Sequence, residues 1–317
     1  MDTKFVILPD VTCDLNEEIR REFDIEVIGG HVSYPNGKEE PSMLDWNECS
    51  YISEPTAEAF YEQLKKNPGG FTTAPANAYE YYNKFEQYVK EGYGILSLSV
   101  SAGMSGTYNF AVNAKDMILQ NYPDAQVICV DSFRVSAGLG LMSIWASILR
   151  KEGKTLEEVA QFLEENKKRI HQMGWLDDLS FVAKKGRITQ PQAFFGKLIG
   201  VKPLGEYDVS GKTTVVGKAK GEKSAYKAIL EYIARTVENP EEQIMIVANS
   251  NRKAQAKVFK EMLENTFHPK AIYEIDVYPA CGINIGPGLM AAYYVGKPVS
   301  DNLAQEKEMM SNILLGQ

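Results

Sequence analysis

Short apolar segments alternate with amphipathic ones along the first half of the chain. Residues 5–8, 95–100 and 126–130 are apolar enough to form strands that are buried on both faces of a sheet. Helical patterns cover residues 16–23, 56–67, 76–91 and 136–151, and a further helix is expected to begin near residue 107. Strands that alternate with helices in this way predict βαβ units and a parallel sheet.

The second half of the chain has a different pattern. A polar break at residues 151–154 precedes Thr155 and Glu158, which fit a capping box at the start of a new helix. Strand patterns follow at residues 179–183, 207–210, 213–216, 244–248 and 272–277, with helical patterns at 224–237 and 253–264. We therefore predict an α/β protein of two domains. Residues 1–153 form a three-layer α/β/α domain with a parallel sheet, and residues 154–317 form a two-layer α/β domain with a mixed sheet.

Composition narrows the possible functions. The 317 residues are 44% hydrophobic and have a formal net charge of −8, which argues against a nucleic-acid partner. The four cysteines show no CxxC spacing and are expected to be reduced thiols. The three histidines lack metal-binding spacings, so no metal site is expected, and no cofactor is predicted. No signal peptide and no integral membrane segment are visible, which predicts a cytoplasmic protein.

Polar loops follow three of the predicted strands, at residues 10–14, 101–107 and 131–136. Ligands of open α/β sheets bind at the carboxyl ends of the strands, so we expect these loops to share one crevice. Residues 101–107 place hydroxyl groups at a helix start, where unpaired N–H groups attract anions. Ser105 is therefore a candidate ligand of a carboxylate or phosphate. The alternatives are a plain helix cap and the nucleophile of a serine hydrolase or thioesterase.

Known catalytic and nucleotide-binding motifs are incomplete in this sequence. Residues 103–107 read Gly-Met-Ser-Gly-Thr and not GxSxG, and a base for Ser105 would have to be His171 or His268. Neither GxxxxGK[ST] nor GxGxxG occurs, so no ATP or NAD site is predicted. Gly138 and Gly140 favour close packing of the helix that contains them.

Two further segments have two interpretations each. Arg187 follows a basic pair and is either a surface turn residue or a ligand of an anion, because its planar group suits carboxylate and phosphate. Residues 282–289 read Gly-Ile-Asn-Ile-Gly-Pro-Gly-Leu and predict a tight turn. Asn284 within it could donate or accept a hydrogen bond.

Taken together, these segments resemble the DegV family, which includes the fatty-acid-binding subunit of bacterial fatty acid kinase. The resemblance runs from Asp10 to about Asn302, and the motifs occur in the family's order. The family's Ser-Gly-Thr-Tyr is unchanged at residues 105–108. The other similar motifs are Asp10-Val11-Thr12-Cys13-Asp14-Leu15, Thr72-Thr73-Ala74-Pro75, Asp131-Ser132 with Ser136, Gly138 and Gly140, Gly186-Arg187-Ile188, Lys202-Pro203 and Gly286-Pro287-Gly288.

The resemblance implies a bacterial lipid carrier with two α/β domains and no catalytic turnover of its own. A long-chain fatty acid would lie in a buried pocket between or within the domains, with its carboxylate against Thr72 and Ser105. A separate kinase subunit would phosphorylate that carboxylate with ATP, and contact with a membrane would be transient. The implied supporting network around the headgroup consists of Thr73, Gly106, Thr107, Arg187, Asn284 and Gly286.

The sequence departs from the family pattern at four positions. Val11 replaces a serine, Ala74 replaces a glutamine, and Lys185 replaces a glycine. Asn284 stands where the kinase-coupled members carry a histidine of the headgroup network. An amide can still form hydrogen bonds but cannot become cationic near neutral pH. A regulatory protein that binds another amphiphilic anion is therefore an alternative to the fatty acid carrier.

Overall fold

Strands and helices alternate through most of the chain in the computed structural model, which describes residues 4–189 and 200–317. The strands are β1 (Phe5–Pro9), β2 (His31–Ser33), β3 (Glu39–Pro41), β4 (Thr72–Ala74), β5 (Gly94–Ser99), β6 (Val127–Asp131), β7 (Ile170–Leu176), β8 (Val201–Tyr207), β9 (Thr213–Lys220), β10 (Ile244–Asn249), β11 (Ala271–Asp276) and β12 (Leu289–Val295). The helices are α1 (Glu17–Phe23), α2 (Ala57–Lys66), α3 (Ala78–Lys90), α4 (Thr107–Asn121), α5 (Ala137–Lys151), α6 (Leu156–Asn166), α7 (Ser180–Lys184), α8 (Gly221–Thr236), α9 (Lys253–Phe267), α10 (Pro279–Ile285) and α11 (Ala304–Leu315).

The first sheet is parallel and has the strand order β1-β5-β6. Every residue of β1 and β5 is buried, because α3 and α4 pack on one face of the sheet and α5 and α6 on the other. The predicted α/β/α arrangement of this part is confirmed. A small antiparallel sheet of order β3-β2-β4 lies beside it and pairs Val32 with Thr73.

The second sheet has the strand order β11-β10-β12-β7-β8-β9. Its β10–β11 pair is parallel and its other pairs are antiparallel, which confirms the predicted mixed sheet. Helices α8 and α9 pack against it. Helix α5 contacts β7, β10 and β12 of this sheet and also β1 of the first, so it is buried around most of its circumference.

Two glycines allow α5 to approach its neighbours. A Cβ at Gly140 would lie 2.7 Å from the carbonyl oxygen of Cys13, and one at Gly138 would lie 2.9 Å from the hydroxyl of Tyr207. The close helix packing predicted for these glycines is confirmed. Helix α5 packs against both the loop after β1 and strands of the second sheet. The division into two domains at residue 153 stays a prediction.

Several sequence-based assignments differ from the structure. The strand predicted at residues 207–210 is wrong, because β8 ends at Tyr207 and residues 208–212 form the turn to β9. Residues 282–285, predicted as part of a tight turn, lie in α10. The strand predicted at residues 179–183 is wrong, because this segment forms α7; the Asp178 carboxylate accepts the Ser180 N–H at 2.8 Å near the start of that helix. Thr72–Ala74, predicted as part of a loop, forms β4. Strands β7 and β12 were not predicted, because they are buried almost throughout and lack the alternation of polar and apolar residues that marks a half-buried strand.

Candidate functional site

A cavity of about 180 Å³ lies between the carboxyl ends of β1 and β5 and the strands β7, β8 and β9 of the second sheet. The three polar loops predicted to share a crevice do meet at this edge of the first sheet. The Val100 N–H donates to Asp10 Oδ2 at 2.6 Å, and the Ala102 N–H donates to Asp131 Oδ1 at 3.1 Å. Residues from both halves of the chain line the cavity.

Two pairs of polar side chains line the cavity. In the first pair, Ser105 and Thr107 place their hydroxyl oxygens 2.7 Å apart at the start of α4, and the Thr107 N–H donates to Ser105 Oγ at 3.3 Å. In the second pair, Asn284 Nδ2 on α10 donates to Thr73 Oγ1 on β4 at 3.1 Å. The other N–H of this amide donates to the Ala280 carbonyl, also at 3.1 Å. Because Thr73 Oγ1 accepts this bond, its own proton can be donated to a ligand.

Asp10 also lines the cavity, but its carboxylate already has several partners. Oδ1 accepts the N–H of Thr12 at 2.9 Å and the hydroxyl of Thr12 at 2.6 Å, and Oδ2 accepts the Val100 N–H. Burial raises the pKa of Asp10, and these hydrogen bonds oppose the rise. The carboxylate therefore joins the loops after β1 and β5, and we assign it a structural role.

The remaining residues predicted for the site are divided between the cavity and its surroundings. Arg187 lines the cavity and donates one guanidinium N–H to the Lys185 carbonyl. Gly106 is the exposed N-cap of α4. Gly286 is buried with φ +78°, and a Cβ there would lie 2.5 Å from the Phe181 ring. This glycine therefore fixes the packing of α7 and α10.

The structure does not place Thr72 where the resemblance implied. Thr72 is exposed and lies outside the described lining of the cavity, whereas its neighbour Thr73 lines it. Successive side chains of a strand point to opposite faces, so Thr72 and Thr73 of β4 face different surroundings. Of the two threonines, only Thr73 therefore belongs to the described lining of the cavity.

The rest of the cavity is mainly apolar. Its lining there includes Val135, Leu176, Leu179, Val182, Ile188, Pro203, Val215 and Leu289. A group of the size of a water molecule needs about 10–15 Å³ of cavity volume. The cavity of about 180 Å³ therefore has room for roughly a dozen such groups. Leu176, Val182, Pro203 and Val215 of this set lie on β7, α7, β8 and β9, and of these four only Pro203 belongs to a motif that the sequence analysis identified.

Histidines that could activate Ser105 lie elsewhere. His171 is buried in β7, where Nδ1 is 2.7 Å from Glu206 Oε2 and Nε2 is 2.7 Å from the Lys297 carbonyl oxygen. His268 follows α9 at its C-terminal end. Among residues 4–189 and 200–317, the lining of the cavity contains no histidine. In the part of the chain that the structure describes, the cavity therefore provides no histidine base for Ser105 as a hydrolase nucleophile.

Two kinds of feature are absent from the described residues. Within residues 4–189 and 200–317, histidine, cysteine, aspartate and glutamate side chains form no cluster suited to a metal ion. The same part of the chain contains no helix with the length and apolar character needed to cross a bilayer. The free cysteines among these residues include Cys13 and Cys281, whose thiol pKa values are raised by burial.

Comparison with known proteins covers almost the whole chain. Residues 4–297 match the model of the DegV family of uncharacterised proteins. A DegV domain-containing protein of Clostridium perfringens is 31% identical over 293 residues, which are 92% of this chain and 98% of that protein.

Solved structures share the fold. A DegV lipid-binding protein from Thermotoga maritima has a TM-score of 0.79 and 22% identity, and covers 93% of this chain and 100% of its own. DegV from Bacillus subtilis, a fatty-acid-binding protein, has a TM-score of 0.77 and 24% identity over the same shares of the two chains.

Proposed function

Because the chain belongs to the DegV family, we propose that it binds a long-chain fatty acid in the cavity, with the carboxylate against Thr73 and Ser105. The most direct support is that the cavity has a polar surface and an apolar surface together. The hydroxyls of Thr73 and Ser105 line it together with the apolar side chains of α7 and β9. A fatty acid has the same two parts.

The two parts of the ligand would contribute differently to affinity. Burial of one methylene gains about 0.8 kcal/mol, so about 14 methylenes gain on the order of 11 kcal/mol before the costs of association. The number of water-sized groups that fit in the cavity is of the same order as this number of methylenes. A hydrogen bond to a charged group contributes only about 1.5–3 kcal/mol. The tail would therefore decide affinity, and the hydroxyls would decide where the carboxylate lies.

Asn284 would act on the ligand through Thr73. Both N–H groups of its amide are already donated, one to Thr73 and one to the Ala280 carbonyl. The amide thus keeps the Thr73 hydroxyl turned so that its proton faces away from Asn284. On this proposal the chain needs no cationic histidine at this position in order to bind a carboxylate.

We further propose that the protein is a cytoplasmic carrier and leaves the chemistry to a partner. A separate kinase subunit would transfer the γ-phosphoryl group of ATP to the held carboxylate, with ADP as the leaving group and an acyl phosphate as the product. The absence of a GxxxxGK[ST] sequence is consistent with this division of labour. Contact with a membrane during loading or release of the lipid would be transient.

Native mass spectrometry of gently purified protein tests the ligand class. We expect the mass of a bound acyl chain, or uptake of added palmitate when the protein has first been delipidated. A protein that contains no acyl chain and takes up no palmitate would refute the proposal. Chemical identification of the extracted ligand distinguishes a fatty acid from another amphiphilic anion.

Adjacent threonines provide a matched test of the headgroup site. We expect Thr73→Val to weaken palmitate binding by about tenfold or more, because one hydrogen bond to the carboxylate is lost. Thr72→Val should leave the dissociation constant unchanged, since Thr72 is exposed and outside the described lining. Titration calorimetry with palmitate gives both values, and equal losses in the two variants would contradict the assignment of Thr73.

Ser105→Ala tests the second hydroxyl. We expect it to weaken binding of palmitate but to change binding of hexadecanol, which lacks the carboxylate, by much less. Competition with a fluorescent fatty acid measures both ligands. If the variant binds both like the unaltered protein and supports phosphorylation by a kinase subunit equally well, Ser105 has no role at the headgroup.

A further inference from the structure

A third hydroxyl lines the cavity and has no assigned role. Tyr81 lies on α3, and its side chain is fully buried. Tyr81 lines the same cavity as Thr73 and Ser105. Across residues 4–189 and 200–317, its hydroxyl finds no hydrogen-bond partner. A buried polar group without a partner is uncommon, because it has lost its hydrogen bonds to water and gained none in return.

The packing of Tyr81 gives no reason for a hydroxyl at this position. Its ring contacts Phe85 edge-on at 5.7 Å between centroids, and the surrounding apolar cluster includes Ala76 and Ala111. A phenylalanine would satisfy these contacts equally well. The Ser99 hydroxyl is near, but no hydrogen bond of ordinary geometry joins it to Tyr81 within the described part of the chain.

Tyr81 packs beside elements that also carry the polar residues of the cavity. Helix α3 begins shortly after β4, and Pro75 and Ala76 of the connecting segment also line the cavity. The Tyr81 ring belongs to the same cluster as Ala111, which is one helical turn after Thr107 on α4. Tyr81 therefore packs in one cluster with Ala76, which follows the strand of Thr73, and with Ala111 of the helix that follows Ser105.

The protonation state of Tyr81 suits a hydrogen-bond donor. Burial raises the pKa of its hydroxyl well above the ordinary value, and the charge of Asp10 adds to the rise, while the nearby Ser99 hydroxyl opposes it. The hydroxyl therefore keeps its proton near neutral pH, where a fatty acid is ionised.

We propose that the Tyr81 hydroxyl is a third donor to the bound carboxylate, beside Thr73 and Ser105. This inference rests on the proposed function. Two carboxylate oxygens have about four acceptor positions, so three hydroxyl donors can bind at once. A phenol held by a packed ring loses less conformational freedom on binding than a freely rotating side chain. The assignment makes the site selective for a free carboxylic acid over an alcohol or an ester of the same chain length.

Tyr81→Phe tests this inference, with Tyr82→Phe as the matched control on the same helix. The Tyr82 hydroxyl lies outside the described lining, donates to Glu86 Oε1 at 2.8 Å and accepts from Asn121 Nδ2 at 3.0 Å. Titrations with palmitate, hexadecanol and methyl palmitate measure the affinities of the delipidated protein and both variants. Thermal unfolding without ligand shows whether each variant folds.

We expect Tyr81→Phe to weaken palmitate binding about ten- to a hundredfold and to leave hexadecanol and methyl palmitate within about twofold. Tyr82→Phe should change none of the three. Carbon-13 NMR of carboxyl-labelled palmitate gives a second measurement. The bound carboxyl should titrate at a higher pH in Tyr81→Phe than in the unaltered protein, since a donor that stabilises its ionised form is missing.

The possible failures can be told apart. If the unaltered protein binds no palmitate, the proposed function itself is wrong. If the unaltered protein binds palmitate and Tyr81→Phe binds it equally well with an unchanged carboxyl titration, only the role of Tyr81 is overturned. A variant that loses affinity equally for all three ligands would show that Tyr81 shapes the cavity and donates no hydrogen bond to the carboxylate.

Discussion

At the scale of single residues, Asp14 joins parts of the chain that are distant in sequence. Its carboxylate accepts the Ser136 hydroxyl at 2.5 Å, before α5, and the Tyr278 N–H at 3.0 Å, before α10. Asp14 is fully buried, and this burial raises the pKa of its carboxyl from 3.8 to about 7. The hydrogen bonds only partly oppose the effect.

This shift predicts a stability that depends on pH. Between the pKa of the unfolded chain and about pH 7, the folded protein binds more protons at Asp14 than the unfolded chain does. The contribution of Asp14 to stability is therefore complete below the unfolded pKa and is lost as pH rises through about 7. The largest slope for one such group is about 1.4 kcal/mol per pH unit.

Asp14→Asn removes the titration and keeps an oxygen for the Tyr278 N–H. We compare the free energy of unfolding of the variant with that of the unaltered protein. We expect this difference to favour the variant more at pH 8 than at pH 5.5. Urea unfolding of both proteins at the two pH values gives the comparison. Subtracting the free energies of the two proteins at each pH cancels the contribution of Asp10 and other groups. Parallel pH profiles for the two proteins would show that Asp14 does not titrate in this range.

At the scale of elements, α5 determines how the parallel sheet and the six-stranded sheet pack together. Its start packs on the loop after β1, and Gly140 is the point of closest approach. A Cβ at Gly140 would meet Leu15 Cδ2 at 2.8 Å as well as the Cys13 carbonyl at 2.7 Å. The carbonyl is backbone and cannot rotate away, so a methyl group here would force α5 or the loop to shift.

Gly140→Ala should therefore destabilise the protein by about 1–3 kcal/mol, even though alanine is the better helix former. Gly69 provides the control, since a Cβ there would have no atom within 4 Å. Gly69→Ala should change the free energy of unfolding by less than about 0.5 kcal/mol. Denaturant unfolding measures both variants, and a neutral Gly140→Ala would contradict the tight contact between α5 and the loop after β1.

At the scale of the whole molecule, direct contacts tie the two halves of the chain together. Trp46 Nε1 donates to Asp276 Oδ2 at 2.8 Å, and Arg134 Nε donates to the Ile170 carbonyl at 2.6 Å. The cavity is lined from both halves, so a ligand in it would add contacts to each.

We therefore expect calorimetry to show one unfolding transition that shifts to higher temperature with palmitate. A ligand at 100 times its dissociation constant adds about 2.7 kcal/mol to the free energy of unfolding. Two separate transitions, of which palmitate moves only one, would contradict a binding site formed by both halves.

Local sequence determined much of the first half of this protein. The strands of the parallel sheet, the helices after them and the capping box of Thr155 with Glu158 follow from periodicity and from hydrogen bonds between near neighbours. The hydroxyl loop at Ser105 and the meeting of three loops at one sheet edge were predictable for the same reason.

Only the tertiary structure decided which side chains reach the ligand cavity. Strands β7 and β12 gave no periodic signal, because neighbours on both faces bury them. The choice of Thr73 over Thr72 depends on the pairing of β4 with β2, and the position of Tyr81 depends on the packing of α3 against α4. Strand pairing and helix packing are contacts between segments far apart in the chain, so they decide the direction of these side chains where local sequence does not.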